Sequence, residues 1–378
     1  MRPKYKVADL LNRHQDHLEK LCLNTWQSRT LHALRKCRTI ALGGHIDKCD
    51  CCHKIHLSYN SCRNRHCPTC QGHKRQQWIQ AREEELLDVP YFHVVFTIPH
   101  ELNKLSIKQP RLVYAALFKA SWQTLSQFAK NPKHLGARLG MIALLHTWGQ
   151  NLQLHPHLHC IVPSGGVTKT GHWKKSKNKG SFLFCVKSMG KVFRAKFVAE
   201  LRKNNKDIPQ SLFDKLFEKN WVVYAKKPFQ NTFSVIEYLG RYSHKVAISN
   251  HRIAHIDHQN NRVSFHLKNY KKNSRKEILT LDQKEFIRRF SLHILPKGFT
   301  RIRHYGILSG TWKMKHLKKL QNQLSKGKKK KIKKEVKSLL HVCPSCKKGT
   351  LKTILAFNKY HPPPMKWIEQ LKNQTQND

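Results

Sequence analysis

Acidic residues are scarce in this chain: 22 Asp and Glu stand against 72 Lys and Arg in 378 residues, a formal charge of +50. Such a surface repels itself unless a polyanion is present, and the usual polyanion is nucleic acid. Charge alone also fits a ribosomal or membrane-surface protein, so it names a class of partner and not an activity. Between Tyr91 and Gly306 the few carboxylates form no motif of the kind hard cations prefer. Long apolar runs are missing too. No stretch approaches the roughly twenty apolar residues of a membrane span, and Met1 to Lys20 lacks the apolar core of a secretory leader. There is no internal repeat, no long low-complexity linker and no Gly-x-x-x-x-Gly-Lys-Ser/Thr loop. These absences, with 39% hydrophobic residues, predict a globular cytoplasmic protein with no membrane attachment. In that reducing compartment the 12 cysteines are expected to meet metal rather than one another.

Val7 to Arg38 is Pro-free, with leucines at helical spacing, and reads as helix up to Gly43-Gly44. His45 to Gly72 is cysteine-rich and loop-like, and His73 to Leu87 again reads as helix. Tyr91 to Ile98 is a strand closed by Pro99. Helix is expected over 111–130, around 195–203, over 210–219 and from Thr232 to Tyr242. Further strands are expected at Met141–Trp148, His157–Val162, Trp221–Ala225, Lys245–Ile253 and Arg262–Leu267. Helices alternating with adjacent short strands predict a mixed α/β (α+β) sheet packed by helices on one side. Lys313 to Lys337 holds twelve lysines and reads as a solvated basic helix or arm. The expected segments are 1–88 (helical and zinc-binding), 89–306 (the sheet) and 307–378 (basic tail with Cys-x-x-Cys).

Cys49-x-x-Cys52 and Cys67-x-x-Cys70 are separated by fourteen residues, close to the spacing of four-ligand zinc sites. Two such turns close a thiolate tetrahedron around one Zn²⁺ and leave no open position, so this site is expected to bind or position rather than catalyse. Cys51 reads as a bystander. Cys37, His45, Cys62 and His66 offer ligands for a second zinc; the alternative is core thiols and phosphate-facing histidines. Cys343 and Cys346 are half a site, to be joined by His341, His361 or another domain, or else an unligated turn.

In His155-Pro156-His157-Leu158-His159, residues two apart on a strand share a face, so His157 and His159 project together about 7 Å apart at Cα. His155 lies on that face as well, but three such residues span about 13 Å, too far for one ion. The third ligand is expected from a neighbouring strand, with Gln150 as the candidate. An isolated His-x-His is more often plain polar packing. Tyr238 and Tyr242, at i and i+4, place two phenols about 5–6 Å apart on one helix face. Alone, such a pair is more often core packing. Beside a metal that polarises a phosphodiester, a phenol is a nucleophile, and attack leaves a 5′-phosphotyrosine and a free 3′-hydroxyl. Arg241 and Lys245 stand beside the pair and can neutralise phosphate.

Together these elements closely resemble the HUH transposases of the rolling-circle insertion-sequence family ninety-one, over nearly the whole chain. The resemblance rests on Leu42-Gly43-Gly44-His45, on Tyr59 to Gln71, on Tyr91 to Pro99 and on Thr147-Trp148-Gly149-Gln150 ahead of the histidines. It continues in Tyr238 to Asn250 and in Arg301 to Gly306. It implies a ferredoxin-like nuclease sheet, Mg²⁺ or Mn²⁺ on His157 and His159, and Tyr238 and Tyr242 as nucleophiles. The implied substrates are single-stranded DNA at mobile-element ends and target DNA, in a bacterial nucleoid-associated setting. Arg63, Arg65, Arg241, Lys245 and Arg303 are the implied DNA contacts, and Trp148, Trp173 and Trp312 are candidates to stack bases. Host helicases would open the duplex. Two other readings are a zinc-containing nucleic-acid-binding protein without chemistry and a carboxylate-metal nuclease using Glu200, Asp214 and Glu237.

Overall fold

Alternation in Tyr91–Thr97 sends Phe92, Val94 and Phe96 to one side of a strand and Tyr91, His93 and Val95 to the other. That division runs through the central sheet and decides where chemistry sits. The structure, a computed structural model, describes residues 3–70, 84–177, 180–229, 235, 246–269, 275–325, 341–358, 360–367 and 369.

In chain order, α1 (Val7–Arg13) and α2 (Thr25–Arg35) precede the hairpin β1 (Gly44–Cys49) and β2 (Ile55–Tyr59). Next come β3 (Tyr91–Thr97), α3 (Asn103–Lys108), α4 (Pro110–Lys130), β4 (Gly140–Trp148) and β5 (Leu154–Pro163). The short β6 (Gly165–Val167) and β7 (Trp173–Lys175) lead to α5 (Val186–Asn204), α6 (Gln210–Glu218) and β8 (Val223–Phe229). A meander of β9 (Ile253–Asp257), β10 (Arg262–Asn269) and β11 (Arg275–Asp282) runs into α7 (Gln283–Ser291). Then β12 (Ile302–Gly306), α8 (Gly310–Leu324) and β13 (Leu351–Phe357) complete the described elements.

The central sheet is antiparallel with order β12-β4-β5-β3-β8. Without the edge strand β12, the remaining four have the split βαββαβ arrangement that the resemblance implied. Helices α4, α5 and α6 cover one face, burying Phe92, Val94, Phe96, Met141, Ala143, Leu145, Leu158 and Cys160. Helix α4 starts with Pro at its first position, where the missing N–H costs nothing. At the end of β12, Gly306 is required: its φ is +59° and a Cβ would sit 1.9 Å from the Leu139 carbonyl oxygen.

A second core joins α1 and α2 to the β9–β11 meander and α7 through Leu10, Leu31, Ile256, Phe265 and Phe286. A third lies on the far face of the central sheet and takes in Leu87, Ile142, Ile161, Ile307 and Leu320. The cores therefore draw on residues from either side of positions 88 and 306, where the expected segments meet.

Three expectations change. The continuous helix over 7–38 is two helices, because the Asn24 side chain accepts from the Gln27 N–H and starts α2 afresh. The loop over 45–72 contains β1 and β2, and β1 lies between β2 and β13, a strand about 300 residues further along the chain. The strand expected over 245–253 begins only at Ile253, after a 3₁₀ turn at Asn250–Arg252. Asn250 is buried there; it accepts from the Val7 N–H and donates to the Thr69 hydroxyl, which fixes the turn. The helix expected over 232–242, and most of that over 73–87, lie outside the described residues. Among the described residues, no helix is long and apolar enough to cross a membrane.

Candidate functional site

On the sheet face opposite α4–α6, strands β4 and β5 bring three imidazoles together. His146 is directly opposite His157 in the strand register, and His159 is the next same-face residue along β5. One ring nitrogen from each of His146, His157 and His159 lies within 4.8 Å of the others. His157 Nδ1 is 2.7 Å from the His155 carbonyl oxygen, which can only accept, so Nδ1 carries the proton and Nε2 keeps its lone pair. His157 Nε2 and His159 Nε2 then face each other at 3.1 Å. With the His159 proton on Nδ1, directed at His93, both Nε2 atoms offer lone pairs to a shared cation. About 3.0 Å is also the edge of an octahedron with 2.1 Å bonds, so the donor set fits a divalent metal.

Around this trio the strands supply support. His93 on β3 is buried and holds His159 Nδ1 at 2.8 Å, with the two rings stacked. Burial first, then Lys226 opposite it on β8, lowers the His93 pKa to about 4, so the ring is neutral. Such an outer partner sets the tautomer and aim of a ligand. Trp148 stacks on His146 at 4.6 Å between ring centroids. Tyr224 is exposed on the same face, on the far side of β3.

The turn joining β4 to β5 is held by three successive carbonyls. Gln150 accepts from Arg252, Asn151 from Arg289 and Leu152 from His293, at 2.6, 3.2 and 2.9 Å. Leu152 has φ +61°, a conformation an L-residue keeps only when its surroundings impose it. His146 is thus a candidate third ligand beside the expected Gln150. Gln150 lies past the end of β4 with its carbonyl engaged by Arg252, whereas His146 occupies the register position opposite His157. The sequence signal existed, since Met141–Trp148 reads as a strand, but nothing in it shows which residue faces the His-x-His pair. His155, exposed, is outside the trio, as its spacing implied.

The cysteines also regroup. Cys37, Cys62, Cys67 and Cys70 form one tetrad, and Cys49, Cys52, Cys343 and Cys346 another. The expected set of Cys49, Cys52, Cys67 and Cys70 is therefore divided between two centres, because β1 carries the first pair away towards β13. His45 and His66 join neither tetrad. His45 lies 3.3 Å from Asp47, and His66 is half-buried, with desolvation and then Arg65 holding its pKa well below the usual value. All 12 cysteines are free of disulfides. The sulfurs of Cys62 and Cys70 in the first tetrad, and of Cys49 and Cys346 and of Cys52 and Cys343 in the second, stand 3.7 Å apart. A tetrahedron with Zn–S bonds of 2.3 Å has an edge of about 3.8 Å; a disulfide would need about 2.05 Å. Each tetrad has two buried and two half-buried cysteines, and Cys67 of the first packs in the second core.

Of the basic residues expected on DNA, Arg63 is exposed. Arg65 is turned inward and donates to the carbonyls of Phe299 and Pro296. Arg303 lies over the rings of Phe118 and Phe299 at 4.3 and 5.2 Å. Both guanidiniums are half-buried and take part in packing within the fold. Tyr238, Tyr242, Arg241 and Lys245 lie outside the described residues. Among the tryptophans, Trp312 lines a cavity of about 740 Å³ with Lys130, Arg138, Lys169, His316 and Lys319. It shares no residue with the histidine trio.

A basic chain with cysteine tetrads in zinc geometry and an imidazole cluster on an open sheet face belongs among DNA-processing proteins. The family comparisons define which. Residues 10–98 match the family described as "Transposase zinc-binding domain", and residues 140–339 match the one described as "Putative transposase". A protein from Sinorhizobium fredii described as "Putative transposase y4qJ" is 38% identical, over 96% of this chain and 98% of its own. The transposase for insertion sequence element IS801 of Pseudomonas savastanoi pv. phaseolicola is 29% identical, over 77% of this chain and 72% of its own. No solved structure matches at a significant level. The chain belongs to the transposases of insertion-sequence family ninety-one.

Proposed function

We propose that this transposase cleaves and rejoins single-stranded DNA at the ends of its element by tyrosine attack beside the His146–His157–His159 centre. The observation that carries the reading is the convergence of three imidazoles, without a carboxylate among the described residues. The charge of +50 suits a polyanionic substrate, and Tyr238 with Tyr242 supplies the paired phenols. A divalent cation held there would polarise the non-bridging oxygens of the scissile phosphate. An all-imidazole donor set favours Mn²⁺ over Mg²⁺, which prefers oxygen ligands.

In the reaction the phenol oxygen bonds to phosphorus as the bond to the 3′ oxygen breaks. The phenolic proton is lost and the departing oxygen gains one. The 5′-phosphotyrosine keeps the phosphodiester energy for rejoining, and a second phenol allows a second cleavage before the first link is resolved. His93 holds the tautomer of His159, and the side chains of Arg252, Arg289 and His293 hold the turn between the two ligand strands. The first cysteine tetrad would hold structural Zn²⁺. The basic cavity at Trp312 suits a single strand with one stacked base. Host proteins would open the duplex, since the sequence has no nucleotide-binding loop.

The test is incubation with single-stranded element-end DNA and Mn²⁺, followed by denaturing electrophoresis. A covalent protein–DNA band is expected, retained in Tyr224→Phe and lost in the Tyr238→Phe/Tyr242→Phe double variant. No band at either end, with salt-sensitive binding intact, would instead leave a DNA-binding protein without chemistry. The carboxylate alternative finds little support: Glu200 pairs with Lys119 and Asp214 accepts from Gln210, both on the helical side of the sheet. Cleavage abolished in Glu200→Gln or Asp214→Asn, but intact in the double Phe variant, would revive it.

A further inference from the structure

We propose that Cys49, Cys52, Cys343 and Cys346 form a second zinc site, assembled from opposite ends of the chain, that clasps strand β13 onto β1. Half of this site lies beyond the segment matched by the zinc-binding family, which ends at residue 98. The paired sulfurs are 291 and 297 residues apart in sequence, yet stand 3.7 Å apart in space.

The backbone on both halves is already shaped for a metal. Cys49 Sγ accepts from the N–H groups of Cys51 and Cys52, each at 3.4 Å, and Cys346 Sγ accepts from Gly349 N–H at 3.3 Å. Such bonds stabilise thiolate over thiol. The residue after the second cysteine of each pair is left-handed: His53 at φ +58° and Lys347 at φ +58°. Arg38 and Arg63 do the same after Cys37 and Cys62 in the first tetrad, at +61° and +52°. Four of the six left-handed non-glycine residues among those described thus follow a tetrad cysteine, a strain that a ligated sulfur repays. His56 Nε2 lies 3.4 Å from Cys343 Sγ, where an outer partner of a ligand belongs.

Gly349 completes the fit between the halves. A Cβ there would lie 2.4 Å from Cys49 Sγ and 2.6 Å from Cys51 Cβ, so only glycine lets the two turns close. Asp50 bridges them, accepting from Thr350 N–H at 2.7 Å while its own N–H donates to the Thr350 carbonyl. A staple suits this sheet: its apolar core is Ile46, Ile55 and Phe357, with Leu57, Tyr59, Leu355 and Trp367 half-buried against it, little apolar surface to hold three strands. The clasp gives the chain beyond α8 a fixed second anchor, and α8 itself is seated through Leu320.

Cobalt substitution counts tetrathiolate centres without counting metal on histidines. The wild-type chain is expected to show two equivalents of tetrahedral thiolate absorption, and the Cys343→Ser/Cys346→Ser variant one. In that variant Cys49 and Cys52 should alkylate as fast as in chelator-treated wild type, while Cys67 stays protected and reports that the rest is folded. Hydrogen exchange over 351–357 should accelerate, with 91–97 unchanged. Gly349→Ala, which keeps every thiol, should release one of its two metals at a chelator concentration that leaves wild type loaded. A single thiolate centre in wild type, Cys49 still protected in the double variant, or unaltered exchange in β13 would each overturn the clasp.

Discussion

The histidine centre and the cysteine tetrads are built in opposite ways. His146, His157 and His159 come from two neighbouring strands joined by one short turn, so pairing and alternation alone bring them together. The tetrads gather sulfurs from four segments, and the second spans nearly the whole chain. A centre made by register is robust to what surrounds it and sensitive to a one-residue slip. A centre made by distant contacts depends on the fold around it and in turn helps to hold that fold.

The sharpest way to break this comparison is Cys67→Ser. Cys67 is 1% exposed and packs among α1, α2 and the meander. Loss of its thiolate should cost several kcal/mol and uncouple that core from the rest, whereas Cys346→Ser, at the half-buried rim, should cost much less. Urea midpoints for the two variants measure this; equal midpoints would remove the distinction. His146→Ala, by contrast, should leave the unfolding midpoint within about 1 kcal/mol of wild type while slowing cleavage by about a thousandfold. Gln150→Ala should slow it less than about tenfold. If Gln150→Ala slows it about a thousandfold and His146→Ala less than about tenfold, Gln150 and not His146 completes the metal centre.

Acid should weaken the anchor between the two kinds of region. His293 Nε2–H donates to Leu152 and its Nδ1 accepts from the Thr147 hydroxyl, and burial lowers its pKa to about 4. In the unfolded chain the ring protonates near pH 6.5, so below that pH the unfolded state takes up the proton first. Its stabilisation is full above pH 6.5 and falls as pH drops towards 4, by about 3 kcal/mol. Urea titrations at pH 7.5 and 4.5, with His293→Gln as the flattened control, read this directly. A wild-type midpoint that ignores pH would rule it out. The smallest effect is that of His93→Ala, expected to weaken Mn²⁺ binding about tenfold with little loss of fold, as calorimetry would register. Unchanged affinity would reduce His93 to packing.

Much of the site was legible in the sequence because period-two alternation is a local property. The His157–His159 pair, its face and the subordinate place of His155 all follow from the chain itself. His146 was missed because register is a relation between strands, and Gln150 looked equally reachable from spacing. The cysteine pairing was misread for a stronger reason: two Cys-x-x-Cys turns close in sequence look like one site until β13 inserts beside β1. That Arg65 and Arg303 pack within the fold could not be read, because a guanidinium in a motif has the same letter whether it faces phosphate or a backbone carbonyl.

Sequence by itself determined the polyanionic partner, the use of zinc, the strand carrying the histidine pair and the family. It could do so because charge, Cys-x-x-Cys turns and alternation act over a few residues. Only the tertiary structure decided which cysteines share a metal, which residue faces His157 and which arginines are spent indoors. Those choices rest on contacts between segments as far as 297 residues apart, and a contact of that range is set by how strands pair and cores close.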